Sequence, residues 1–131
     1  GQPAKGFILG GVNDISHDLT PDSLCTSMEK LIVKIKQGSP RTKIYLQSLL
    51  PIDNSFGRYR KMVGKEQVIV ETNRLYKEMA ERHGVTWIDL YSKMVDPATG
   101  SMRKGLTNDG LHLLGAGYLV WRDAVLPYVK K

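Results

Sequence analysis

The C-terminal third of the chain contains a carboxylate and an imidazole that are spaced for proton transfer. Asp109 precedes His112 by three residues, with Gly110 between them, in a stretch that begins at Thr107. A histidine exchanges a proton near neutral pH, and a carboxylate bonded to one ring nitrogen sets the tautomer and stabilises the protonated ring. Because glycine permits a tight backbone bend, Asp109 can fold back onto His112. The spacing therefore predicts a general base with its orienting partner, two of the three parts of a nucleophilic catalytic set.

Length and composition limit the classes of protein to which the chain can belong. Its 131 residues are 41% hydrophobic and 24% charged, which predicts one globular domain over residues 1–131. Cys25 is the single cysteine of the sequence, so an internal disulfide and a multi-cysteine zinc site are excluded. No apolar run approaches the roughly 20 residues that span a bilayer, so we expect no membrane segment. The sequence does not begin with Met and indicates no cellular compartment.

The net charge of +6 could reflect a solvated basic surface or an anionic partner. Lysines and arginines are scattered along the chain, apart from one cluster that contains Arg58, Arg60, Lys61 and Lys65. This cluster could steer an anionic substrate by long-range attraction. The short motifs of nucleic-acid recognition are absent from the sequence, so we expect no nucleic-acid partner.

Apolar residues recur along the chain in alternating strand and helix patterns. In chain order, the patterns predict a strand over 6–10, a helix over 21–38, a strand over 43–50, a helix over 66–83, a strand over 85–90 and a helix over 115–126. Thr20 and Pro21 are a typical helix start, and Pro127 is expected to limit the last helix. Strands that alternate with helices predict an α/β fold, with a parallel sheet covered by helices on both faces.

Polar segments follow each of the predicted strands. Gly11 to Asp14 comes after the first strand, and Ser48 to Pro51 ends the second. Asp109 and His112 lie in the long connection after the third strand. Catalytic groups of parallel α/β sheets gather at the carboxyl ends of the strands. We therefore expect these segments to meet at one edge of the sheet, near the long polar loop 51–65.

Two short motifs resemble blocks of a known family. Gly11-Val12-Asn13-Asp14 and Asp109-Gly110-Leu111-His112 resemble the Gly-x-Asn-Asp and Asp-x-x-His blocks of the SGNH/GDSL hydrolases, in particular the acetylhydrolase-like esterase branch. The strands KIYLQSLLP and VTWIDLY, the helix with Asn73 and the tail GAGYLVW follow in the order expected of that branch. The resemblance covers essentially the whole chain. It implies a three-layer, flavodoxin-like α/β fold and a carboxylic ester hydrolase.

The resemblance assigns a role to residues of both motifs. The Asn13 amide would donate a hydrogen bond to the oxyanion of the tetrahedral intermediate, and Gly11 would let the backbone approach it closely. Asp14 would brace the turn instead of reacting. His112 would be the general base, with Asp109 as its orienting partner. This chemistry requires no cofactor and no metal, and the sequence contains no closely spaced set of metal ligands.

The expected nucleophile is missing from the sequence. In the family, the catalytic serine belongs to a Gly-Asp-Ser block after the first strand, and a second block adds a backbone oxyanion donor. Both blocks precede the Gly-x-Asn-Asp block, and neither is found here. We therefore expect a partial domain that lacks one or more N-terminal strands, contains no nucleophile and has little activity alone.

Other nucleophilic or basic side chains are better explained by structural positions. Ser48 is the nearest alternative nucleophile, but its counterpart in the family is structural. Ser16 is expected in a turn, and Cys25 lies beside the apolar stripe of its helix. His17 and His83 are expected at the surface, in a loop and at a helix end.

The resulting hypothesis is a serine esterase that hydrolyses small acyl esters, with an acetyl ester of a carbohydrate or lipid-like alcohol as the expected substrate. The alternative is a non-catalytic remnant of the same fold that binds esters or glycans or serves as an assembly module. Because the missing strand would lie beside strand 6–10, that strand is expected to be an open apolar edge. We therefore expect the chain to self-associate through this edge.

Overall fold

The fold is built on three parallel strands that form one sheet in the order β1-β2-β3. The computed structural model describes residues 5–9, 20–56, 64–110 and 112–130. The strands are β1 (Lys5–Leu9), β2 (Lys43–Gln47) and β3 (Thr86–Ile88); the helices are α1 (Pro21–Gly38), α2 (Glu66–Arg82), α3 (Tyr91–Met94) and α4 (Gly115–Val129), with a 3-10 turn at Asn54–Phe56. This order of elements confirms the predicted α/β class.

Helices α1 and α2 cover the face of the sheet to which Ile44 and Leu46 point. The buried hydrophobic residues of the two helices are Leu24, Met28, Ile32, Ile69, Tyr76, Met79 and Ala80. Their recurrence at helical spacing is the pattern that predicted both helices. The start of α1 agrees as well, because Thr20 Oγ1 accepts the backbone N–H of Ser23 at 3.1 Å and Pro21 occupies the first helical position.

Helix α4 covers the opposite face of the sheet. Tyr45 of β2 points to this face and stacks on Phe7 of β1, with ring centroids 4.8 Å apart. Tyr128 of α4 meets the Tyr45 ring edge-on at 5.6 Å, and Trp121 Nε1 donates a hydrogen bond to Gln47 Oε1 at 2.8 Å. Because side chains alternate along a strand, β2 is buried on both sides. The three-layer arrangement is thereby confirmed.

Strands β2 and β3 are shorter than the sequence predicted. Strand β2 ends at Gln47, three residues early, and β3 ends at Ile88, two residues early. Beyond these ends, Ser48 Oγ accepts the backbone N–H of Leu90 at 3.0 Å and that of Tyr91 at 2.8 Å. A side chain therefore replaces the backbone ladder where the apolar pattern alone suggests that the strands continue.

The helices near the C-terminus also differ from the prediction. Helix α3 was not predicted; it begins where the Asp89 carboxylate accepts the backbone N–H of Ser92 at 3.0 Å. Helix α4 continues past Pro127, which was expected to limit it, and ends at Val129. Proline removes one helical hydrogen bond, but it lies in the last turn, and Lys130 N–H still donates to Leu126 O at 3.1 Å.

A cluster of charged side chains joins α1 to the end of α2. Glu29 Oε2 lies 2.7 Å from His83 Nε2 and 3.2 Å from an Arg82 nitrogen. His83 was expected at the surface, and the structure places it half-buried in this contact. Hydrogen bonds from His83, and then from Arg82, lower the pKa of Glu29 below its ordinary value of 4.5.

We expect Glu29→Gln to reduce the acid sensitivity of the fold. A lowered carboxyl pKa means that ionised Glu29 stabilises the fold above about pH 4.5, and that this contribution is lost as the pH falls through the lowered pKa. Thermal unfolding should show a Tm that is lower by a few degrees at most for the variant at pH 6, and this difference should shrink as the pH falls below about 4.5. Glu81→Gln, which removes a carboxylate outside this cluster, is the matched control. A constant difference at all pH values would contradict the assignment.

Candidate active site

Asp109 and His112 form a hydrogen-bonded pair in the connection between α3 and α4. Asp109 Oδ2 lies 2.8 Å from His112 Nδ1, and Asp109 Oδ1 accepts the backbone N–H of His112, also at 2.8 Å. Gly110 has a φ of 93°, a left-handed conformation that side chains disfavour, and it allows the chain to turn between the two residues. The structure thus brings together the pair that the spacing singled out.

The pair combines a shielded carboxylate with an exposed ring. The side chain of Asp109 is 16% exposed, whereas that of His112 is 69% exposed. An ionised carboxylate can only accept hydrogen bonds, so the ring proton lies on Nδ1 and Nε2 is the nitrogen that can take up a proton. This arrangement has the chemistry of a general base held by its orienting partner.

Thr107 holds the carboxylate of Asp109 from the other side. Thr107 Oγ1 lies 3.3 Å from Asp109 Oδ1 and accepts the backbone N–H of Gly110 at 3.0 Å. Thr107 begins the Asp–His stretch of the sequence, and neither the residue spacing nor the family resemblance gives it a role. A threonine three residues before a glycine in a turn could have indicated this role from sequence, because its hydroxyl commonly accepts nearby backbone N–H groups.

Backbone hydrogen bonds fix the loop that carries Asp109 and His112. Leu114 N–H donates to Leu106 O at 2.7 Å, which closes the loop at its base. Asp53 N–H donates to Gly110 O at 2.8 Å, which ties the loop to the segment that follows β2. The connections after β2 and β3 therefore meet, as expected for the carboxyl ends of parallel strands.

Two polar side chains hold the carboxyl ends of the strands in place. The Ser48 hydroxyl is buried and accepts the backbone N–H groups of Leu90 and Tyr91. The Asn73 amide forms two hydrogen bonds with the backbone of Leu49, accepting its N–H at 2.7 Å and donating to its C=O at 3.1 Å. These contacts support a structural role for Ser48 over its alternative role as nucleophile.

Cys25 lies half-buried between α1 and α2, beside the core. Its thiol donates to Leu75 O at 3.6 Å, and burial, with a smaller contribution from Glu29, raises the pKa of the thiol. A raised pKa disfavours the thiolate, which is the nucleophilic form. The interpretation of Cys25 as a packing residue fits this environment.

Several residues singled out in the sequence lie outside the described residues. These are Gly11, Asn13, Asp14, Ser16, His17, Arg58, Arg60 and Lys61. The oxyanion assignment of Asn13 and Gly11 therefore stays a prediction from sequence, as does the basic cluster.

The described part of the chain contains neither a group of metal ligands nor a membrane-spanning helix. Within 5–9, 20–56, 64–110 and 112–130, no three His, Cys, Asp or Glu side chains are grouped as metal ligands. In the same ranges, no helix is both long enough and apolar enough to cross a bilayer.

Comparison with known sequences identifies the class of the protein. Residues 2–120 match the model of the GDSL-like lipase/acylhydrolase family. Because this match spans most of the chain, the chain belongs to that family. Its members are carboxylic ester hydrolases. No curated protein sequence is significantly similar to it.

Solved structures share the fold. A Streptococcus pneumoniae protein described as a platelet activating factor is 31% identical, with a TM-score of 0.84 over 95% of this chain and 58% of its own. A lipase/acylhydrolase from Enterococcus faecalis is 26% identical, with a TM-score of 0.76 over 98% and 62%. An acetyl-xylooligosaccharide esterase from Geobacillus is 17% identical, with a TM-score of 0.72 over 96% of this chain and 59% of its own. This similarity supports the fold only. The chain thus spans about three fifths of the length of these relatives.

Proposed function

We propose that this chain supplies the general base, its orienting partner and one oxyanion donor of a serine ester hydrolase. The observation that carries the proposal is the 2.8 Å contact between His112 Nδ1 and Asp109 Oδ2, made by an exposed ring and a shielded carboxylate. Membership of an acylhydrolase family supports an acyl ester as the substrate.

The proposed reaction uses a serine from a segment outside these 131 residues. Its hydroxyl attacks the ester carbonyl while His112 Nε2 takes its proton, and Asp109 stabilises the imidazolium that forms. The Asn13 amide donates to the oxyanion. His112 then returns the proton to the leaving alcohol. Water then attacks the carbonyl of the acyl-enzyme with His112 again as the base, which releases the acid and regenerates the serine.

The proposed substrate is a small acyl ester, an acetyl ester of a carbohydrate or of a lipid-like alcohol. A structural neighbour from Geobacillus is named an acetyl-xylooligosaccharide esterase, and this name supports an acetylated carbohydrate as one candidate substrate.

Hydrolysis of p-nitrophenyl acetate tests the proposal. The chain alone should hydrolyse it at the background rate. A chimera that carries the N-terminal segment of the Streptococcus pneumoniae relative ahead of Gly1 should be active, and the same chimera with the serine of that segment replaced by Ala is the control. A folded but inactive chimera would favour the non-catalytic remnant. Hydrolysis by the chain alone, abolished by His112→Ala, would place the nucleophile within these residues.

We also propose that β1 associates with a second copy of this chain. Among the described residues, β1 pairs with β2 on one side only, and Leu9 at its end is 56% exposed. An unpaired strand edge is a template for another strand. Sedimentation velocity should show a dimer fraction that grows with concentration. Leu9→Lys should reduce this fraction, because a charged side chain on an edge strand disfavours pairing with another strand. Leu31→Lys, at an exposed position on α1, is the control, and a stable monomer at high concentration would contradict the proposal.

A further inference from the structure

We propose that Thr107 is a positioning residue, which fixes the rotation of the Asp109 carboxylate so that Oδ2 faces the imidazole of His112. The inference rests on the proposed function, in which Asp109 orients the general base. Neither the spacing of the motif nor the family resemblance assigns a role to Thr107.

The two oxygens of the Asp109 carboxylate have different partners. Oδ1 accepts from the Thr107 hydroxyl at 3.3 Å and from the His112 backbone N–H at 2.8 Å. Oδ2 lies 2.8 Å from His112 Nδ1. Two donors on Oδ1 define the plane of the carboxylate, and that plane places Oδ2 on the ring nitrogen.

The direction of the Thr107 hydroxyl is itself set by the loop. Thr107 Oγ1 accepts the backbone N–H of Gly110 at 3.0 Å and that of Asp109 at 3.4 Å. Because these N–H groups occupy the lone pairs of the oxygen, its proton is directed to Asp109 Oδ1. The hydroxyl therefore transmits the turn geometry to the carboxylate.

Burial makes this contact difficult for water to replace. Thr107 is 5% exposed, and Gly110 is buried as well. Removal of the hydroxyl leaves the Gly110 N–H without this acceptor and removes one donor from Asp109 Oδ1. A buried polar group without a partner is unfavourable, so the turn would relax and the carboxylate could rotate away from the ring.

The first test uses this chain and requires no catalysis. Nitrogen-15 NMR of the His112 ring reports which nitrogen carries the proton. The parent chain and Thr107→Ser should show the proton on Nδ1, whereas the isosteric Thr107→Val, which lacks the hydroxyl, should shift it toward Nε2. If Thr107→Val does not fold, Thr107→Ala is compared with Thr107→Ser by the same signal. An unchanged tautomer without the hydroxyl, or a lost one in Thr107→Ser, would overturn the proposal.

The second test uses the active chimera. Thr107→Val should lower kcat by roughly 10- to 100-fold with KM unchanged, because the general base is then displaced from its productive orientation, and Thr107→Ser should restore kcat. A chimera that is inactive although the parent chain shows the Nδ1 proton contradicts the proposed function and leaves the positioning role intact. An active chimera in which Thr107→Val changes neither kcat nor the tautomer overturns the positioning role alone.

Discussion

Replacement of His112 by Ala in the active chimera should lower kcat by roughly 10⁴–10⁶, with little change in KM. The loss is large because, among the residues that the structure describes, only His112 is placed beside Asp109 to take the proton of the attacking hydroxyl and return it to the leaving alcohol. Steady-state hydrolysis of p-nitrophenyl acetate measures it.

Two further variants make this prediction specific. Asp109→Ala should lower kcat by roughly 10⁴, because the ring loses the partner that sets its tautomer. His83→Ala removes the histidine of the α1–α2 charge cluster and should leave kcat unchanged. Equal effects of His83→Ala and His112→Ala would show that the loss comes from the fold and would contradict the assignment of the base.

Replacement of Gly117 by Ala should lower the free energy of unfolding by about 1–3 kcal/mol. A Cβ at this position in α4 would lie 2.8 Å from Leu113 Cδ2 and 2.9 Å from Leu106 O. Leu106 O also accepts the N–H of Leu114 at 2.7 Å, so it cannot move without opening the base of the loop that carries Asp109 and His112. Urea unfolding of this chain should show the loss, and the chimera should lose activity with it.

Gly115→Ala is the matched control for Gly117→Ala. It lies in the same first turn of α4, and no atom lies within 4 Å of a Cβ built there. Because alanine favours a helix over glycine, this change should be neutral or slightly stabilising. Similar destabilisation by both variants would show that the close approach of Gly117 to Leu113 and Leu106 does not decide the result.

The sequence by itself predicted the layers of the fold and the Asp–His pair, because both depend on short-range patterns. Apolar spacing defines which side of α1 and α2 faces the sheet, and the Thr20 and Pro21 start of α1 is local. The contact between Asp109 and His112 joins residues three apart, so a turn with one glycine is enough to form it.

The tertiary structure decided the features that depend on residues far apart in the chain. Ser48 ends β2 through the backbone of Leu90 and Tyr91, more than forty residues away, which shortened two predicted strands. His83 meets Glu29 across two helices, although its position suggested the surface. Local spacing contains no information on which distant segments pack together, because that is set by burial and hydrogen bonding in the folded chain.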